Sequence, residues 1–254
     1  EQDRVPSRTP VPESVPEERR RAELVFAIGH EIANELGAIR LQAHLLDDEL
    51  GPRELAEASV AIDGLAARCA PLLALLRPVL TDETAPRPGD EAWRGLLGRI
   101  EQEVRDEGTR AVRFEIDSGA TGVAPTPDVD WLHPLAMALV QTSLAQAAPR
   151  GRVRMRLEQR LESVEGRDRV SEAPGGSSED GVARLLVLED DGPEEDLSEC
   201  AARRGRPLVV GIARLLLGGI GGRVETGRSD ETTRIALVFP EPGSPRPRGL
   251  RDLR

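Results

Sequence analysis

The sequence predicts an α-helical region followed by an α/β region: an antiparallel helical hairpin that forms a dimeric four-helix bundle, then an α/β sandwich. Three observations predict it. Apolar residues recur every three or four positions from Leu24 to Leu50 and again from Leu55 to Val79, on either side of Gly51-Pro52. Helix-like and strand-like patterns then alternate from about residue 91 to 240. Proline-rich, charged stretches lie at both ends.

Residues 1–16 carry Pro6, Pro10, Pro12 and Pro16 among charges and read as a linker. The hairpin is expected over 17–80. Its first stripe is Leu24, Ile28, Ile32, Leu36, Ile39, Ala43, Leu46 and Leu50. Gly51-Pro52 supplies a helix stop followed by a helix start. The second stripe, Leu55, Ala58, Ile62, Leu65, Cys69, Leu72, Leu76 and Val79, alternates steps of three and four, the seam of a bundle. Pro71 is expected to interrupt and kink this helix. Two such helices cannot bury both stripes alone, so the hairpin is expected to make a homodimer.

Residues 81–90 read as a second linker and 91–240 as the α/β domain. An amphipathic helix is expected over 91–107 with Trp93, Leu96, Leu97, Ile100 and Val104 on one face. Val112, Phe114 and Ile116 alternate as a strand. A helix follows over 130–147, then a strand over 152–157 with Val153, Met155 and Leu157 on one side. Residues 161–181 are polar and contain Gly175-Gly176-Ser177-Ser178, an expected mobile insertion. A buried strand over 183–189, a helix over 208–217 and strands over 223–226 and 233–239 complete the pattern, with helices on one face of a mostly antiparallel sheet. Residues 241–254 read as a disordered tail.

Composition narrows the chemistry. The net charge of −11 over 254 residues argues against a nucleic-acid partner, which needs clustered cations. There is no lysine, which excludes a P-loop or a Schiff base. Cys69 and Cys200 lack metal-ligand spacing, so no metal site is expected, and they suit a reducing compartment. No apolar run approaches the ~20 residues that span a bilayer, and no signal peptide opens the sequence. A cytoplasmic location, with no membrane contact in this segment, is the expectation.

His30 heads the most informative stretch. It lies about 200° around the helix from Ile28 and from Ile32, so it faces outward, with Asn34 one turn away on the same face. An outward histidine can offer an unprotonated ring nitrogen near neutral pH. Glu31, next in sequence, can orient such a ring. His44 reads as solvated, His133 as structural, Trp93 and Trp131 as core anchors, and Gly218-Gly219 with Gly221-Gly222 as a helix end.

In this order, residues 17–240 resemble the core of a bacterial sensor histidine kinase. His30, Glu31, Asn34, Glu35, Leu36, Ala38 and Ile39 follow the family's phosphorylation motif of histidine, acid, two variable positions, Asn or Thr, Pro-Leu and Ala-Ile. Glu35 stands where the family has proline. The resemblance implies that His30 carries a phosphoryl group, that Glu31 assists the ring, and that Asn34 positions a water. The second region resembles the family's GHKL-type ATP-binding domain with its nucleotide machinery degraded. Gln141 and Ala145 stand where two asparagines hold magnesium and phosphates, which would leave the metal's oxygen shell incomplete. Glu189-Asp190-Asp191-Gly192-Pro193-Glu194 matches the adenine-reading box, keeping Asp190 and Gly192 as a vestigial nucleotide pocket. Glu194 puts a negative charge in place of its last glycine.

The final glycine-rich box, where helix N–H groups meet phosphate, reads Gly205-Arg206-Pro207-Leu208-Val209-Val210-Gly211-Ile212. Pro207 removes an N–H and Val209 adds a branched side chain. The intervening 195–204 is short for the family's lid over ATP. The pattern is most similar to the dimeric, kinase-like histidine phosphotransferases. That similarity implies that His30 exchanges phosphoryl groups with the receiver aspartates of response regulators, without ATP as a cofactor of its own and with magnesium supplied by the receiver. An active sensor kinase using ATP and magnesium, and a non-catalytic scaffold, are the alternative readings.

Overall fold

The computed structural model describes residues 17–45, 51–81, 87–106, 112–117, 125–128, 131–147, 150–162, 181–193, 197, 205–229 and 231–239. The expected linker 1–16, most of the expected insertion, Glu194, Cys200 and the expected tail lie outside the described residues, as do Leu46 and Leu50.

Two 29-residue helices open the fold, α1 (Glu17–Leu45) and α2 (Pro52–Leu80). Pro52 sits in the first turn of α2, where a missing N–H is harmless. The Glu54 carboxylate accepts the Gly51 N–H at 2.8 Å. The helix continues through Pro71 and Pro78, both buried, so Pro71 does not end it. By length and composition α2 is also apolar enough to cross a bilayer (mean hydropathy 1.6), which differs from the expectation that no segment qualifies. Its apolar character has a local use: Leu72, Leu75 and Val79 are buried in the protein's main core.

That core is shared. Leu24, Ile28 and Ile32 of α1 join Leu72, Leu75 and Val79 of α2 in one cluster with the helices Leu132–Gln146 and Gly205–Gly219 of the α/β region. The chain itself thus covers part of the stripe that the sequence assigns to a second copy. A row on α2 stays open, and Leu55 of the expected seam belongs to it. Leu55, Leu73 and Leu80 lie within about 20° of one another around α2 at 100° per residue, and all three are exposed.

Among the described residues ten elements follow: β1 (Arg87–Ala92), α3 (Trp93–Asp106), β2 (Arg113–Asp117), β3 (Pro125–Asp128), α4 (Leu132–Gln146), β4 (Arg152–Glu162), β5 (Gly181–Asp190), α5 (Gly205–Gly219), β6 (Arg223–Ser229) and β7 (Thr232–Phe239). β1 and β3 pair antiparallel in a small sheet. Neither is expected from the sequence, because both contain proline and lack apolar alternation. The main sheet has the order β2-β4-β5-β7-β6, with β2 parallel to β4 and the other pairs antiparallel. β4 and β5 run into the expected insertion from both sides, to Glu162 and from Gly181.

Alternation sorts the sheet's two faces. Val153, Met155, Leu186, Leu188, Ile235 and Leu237 face the helices and belong to the main core. Ala183, Leu185, Val187, Ala236 and Val238 form a second buried cluster on the other face. Ion pairs between strands accompany it: Arg156 with Glu189, Arg234 with Glu158, and Arg160 of β4 with Glu225 of β6. β5 is therefore buried on both faces, which explains its nearly continuous apolar run. Trp93 anchors α3 edge-on against Phe239, with ring centroids 5.3 Å apart.

Candidate functional site

His30 is exposed on α1, as is Asn34 one turn on. The ring of Phe26, four residues before it, lies parallel to the imidazole with centroids 6.4 Å apart, within the range of offset stacking. Phe26 is itself 77% exposed, an apolar ring held beside the histidine at the surface. The i, i+4 spacing that brings them together is readable in the sequence, although the partnership was not anticipated.

Glu31 points the other way. Its Oε1 accepts a hydrogen bond from the Gly205 N–H at 3.1 Å, across the seam between α1 and α5. A helix N-terminus carries free N–H groups and partial positive charge, so a carboxylate suits it. Gly205 has φ +52, a conformation that costs glycine least. The same seam holds a cleft of about 30 Å³ lined by Glu31, Glu35, Arg68, Gln141, Thr142 and Gly205, among others.

Glu35 bridges the two helices. Arg68 of α2 donates to both its oxygens, at 2.9 and 3.1 Å. Beside this pair, burial chiefly, and the Glu35 charge second, push the Cys69 thiol up from its usual range, with Arg68 opposing. Cys69 is thus a buried neutral thiol rather than a nucleophile.

At the same N-terminal end of α5, Asp190 and Gly192 are engaged within the chain. Asp190 is 1% exposed. Its Oδ1 accepts the Gly192 N–H at 3.0 Å and its Oδ2 accepts from Arg206 Nη1 at 2.5 Å. Arg206 is fully buried and also donates to the Pro193 carbonyl at 3.2 Å. Gly192 must be glycine, because a Cβ there would meet Asp190 Oδ1 at 2.8 Å and the Gln146 carbonyl oxygen at 3.1 Å. Gln141 is buried in the seam and Ala145 is exposed. Val209 is buried among the helices.

The remaining singled-out residues fall into place. Trp93 and Trp131 are buried core residues. His133 Nε2 lies 3.1 Å from Glu103 of α3, and His44 is exposed in the last turn of α1. Gly221 and Gly222 donate to the carbonyls of Gly218 and Leu217, closing α5 before β6.

No family model and no curated protein matches the sequence. Solved structures do. The histidine kinase AdeS of Acinetobacter baumannii is 10% identical with a TM-score of 0.52, over 83% of this chain and 97% of that one. A bacterial phosphotransferase is 15% identical with a TM-score of 0.48, over 90% and 100%. A histidine kinase from Burkholderia phymatum is 15% identical with a TM-score of 0.44, over 89% and 98%. At such identities the likeness is one of architecture: the chain has a histidine-kinase-like fold, a helical hairpin that carries His30 joined to an α/β domain.

Proposed function

We propose that the chain is a histidine phosphotransferase of two-component signalling that passes phosphoryl groups between His30 and the aspartates of response-regulator receiver domains. An unprotonated ring nitrogen of His30 attacks the phosphorus of an aspartyl phosphate. The new N–P bond forms as the P–O bond to the aspartate breaks, and the carboxylate leaves with the electron pair. The reverse step returns the group. Aspartyl phosphate already carries the transfer potential, so catalysis reduces to positioning. The observation that carries this reading is His30 exposed on a packed helix, open to a receiver domain. Asn34, on the same face, is placed to orient a water for hydrolysis.

The reading uses no ATP. Both carboxylate oxygens of Asp190 are engaged, by Arg206 and by Gly192, so the residues present do not fit an adenine-reading role without rearrangement. The exposed stripe of Leu55, Leu73 and Leu80 supports a homodimer. Leu73→Glu with Leu80→Glu is therefore expected to give monomers in sedimentation. A cytoplasmic setting, where receiver domains work, completes the proposal.

The test is radiolabel transfer from a phosphorylated receiver domain, alongside calorimetry with ATP. Label on wild-type protein but not on His30→Ala, with no heat at millimolar ATP, is the expected result. Magnesium-dependent labelling of His30 from ATP would make the chain a kinase. Failure of every receiver domain tested to pass phosphate would leave a scaffold.

A further inference from the structure

We propose that Phe26 is a positioning residue for His30, holding the imidazole by one face and leaving its nitrogens open; this rests on the phosphotransfer reading above. The contact is direct. Phe26 precedes His30 by four residues on α1, and the two rings lie within 1° of parallel with centroids 6.4 Å apart. The other aromatic side chains, Phe114, Phe239, Trp93 and Trp131, pack in or against the core. Phe26 is 77% exposed, so burial of apolar surface does not account for it.

Helix geometry singles out this position. Side chains on a helix lean towards its N-terminus, so the His30 ring lies over the turn before it, where Phe26 sits. The other helical neighbours of His30, three residues before it and three and four after, are Ala27, Ala33 and Asn34. Two of these carry a single methyl group and the third is short. Phe26 is therefore the large wall that α1 itself offers to the ring.

The chemistry suits a wall of this kind. A histidine on a helix has two common χ1 wells and a roughly two-fold χ2, about four orientations in all. A parallel ring at one face selects among them. The lone pair of an imidazole nitrogen lies in the ring plane, at the edge. Stacking therefore covers the face and leaves the nucleophilic edge to the phosphorus of a receiver's aspartyl phosphate.

The experiment compares wild type with Phe26→Ala, Phe26→Leu and Phe26→Tyr on the full chain. It reads the His30 ring resonances, and single-turnover transfer from a phosphorylated receiver domain over a range of receiver concentrations. Because Phe26 is exposed, each variant is expected to keep the wild-type fold. Releasing the ring into about four orientations lowers the reactive share by up to about fourfold. Phe26→Ala and Phe26→Leu should therefore shift the His30 resonances and slow the saturating rate about two- to fourfold, with the half-saturating receiver concentration unchanged. Phe26→Tyr keeps the flat ring and should keep both readouts near wild type.

Leucine separates positioning from docking, since it keeps apolar bulk without a plane. If Phe26→Leu transfers at the wild-type rate, or if the losses fall on the half-saturating concentration, Phe26 is a contact for the receiver and the proposal is overturned. Unchanged His30 resonances in Phe26→Ala would overturn it as well. Wild-type protein that accepts no phosphate would instead remove the phosphotransfer reading, and the role of Phe26 in transfer with it, while the resonances still report whether the stack forms.

Discussion

The buried pair of Arg206 and Asp190 makes a quantitative prediction about stability. The two groups are 0% and 1% exposed, and the guanidinium donates to the carboxylate at 2.5 Å. Arg206→Met keeps much of the apolar stem and deletes the guanidinium, leaving the buried Asp190 with, among the described residues, the Gly192 N–H as its remaining donor. Breaking a buried pair from one side costs about 3–5 kcal/mol. For a chain of this size each kcal/mol lowers Tm by about 2–4 °C, so the melting point should fall by about 6–20 °C. In urea, with a slope of about 3 kcal/mol per molar, the midpoint should drop by about 1–1.7 M.

Asp190→Asn/Arg206→Met should recover most of that loss, because no charge is then left in the interior and the Asn oxygen can hold Gly192. Urea unfolding followed by circular dichroism measures all four corners of the cycle. The reasoning fails if Arg206→Met costs under about 1 kcal/mol, the range of an exposed pair. It also fails if the double variant is no more stable than the single one.

Other expectations follow from the same contacts. Glu225 is held below its ordinary value of 4.5, chiefly by hydrogen bonds from Arg160, with partial burial opposing and Arg223 assisting. A depressed carboxyl stabilises the fold above pH 4.5 and loses that contribution as pH falls through its folded value. The gap between wild type and Glu225→Gln, about 0.5–1 kcal/mol at neutral pH for this partly exposed pair, should therefore close in acid; a pH-independent gap would refute the assignment. Cys69 should resist iodoacetamide in the native protein and react on unfolding, and labelling at the rate of a free thiol would contradict its burial. Phe26→Ala should leave stability within about 0.5 kcal/mol yet shift the His30 ring resonances, and unchanged spectra would mean that the stack does not hold the ring.

Much of the architecture was legible because it depends on period. The 3–4 spacing across Leu55 to Val79, the alternation in Val153, Met155 and Leu157, and the continuous apolar run of β5 each follow from burying one face, one side or both. β1 and β3 were not legible, since Arg-Pro-Gly-Asp-Glu-Ala and Pro-Thr-Pro-Asp carry no alternation to read. Nor was the destination of the hairpin's inner stripe. Periodicity shows that Leu72 and Val79 are covered, but not whether a second chain or α4 and α5 cover them. The outward placement of His30 was legible, because it follows from its angle to Ile28 and Ile32. The contacts of Glu31 with Gly205 and of Asp190 with Arg206 were not, since each depends on two elements meeting in space and no local pattern records it.

The Asp190–Arg206 contact also sets what an adenine nucleotide would have to overcome at this place. A purine that reached the Asp190 carboxylate would have to displace Arg206, which is fully buried and would be left without that partner. That loss costs about 3–5 kcal/mol, a factor of about 140 to 3,700 in affinity at 1.4 kcal/mol per decade. A site that would otherwise bind in the low micromolar range would move to about millimolar affinity. This penalty is separate from those expected of Ala145, Pro207 and Val209 at the phosphates and their metal. Restoring an asparagine at position 145 alone should therefore leave ATP binding undetectable by calorimetry at sub-millimolar nucleotide. If Ala145→Asn by itself brought micromolar affinity, the Arg206–Asp190 pair would have to be weak, and the pocket open.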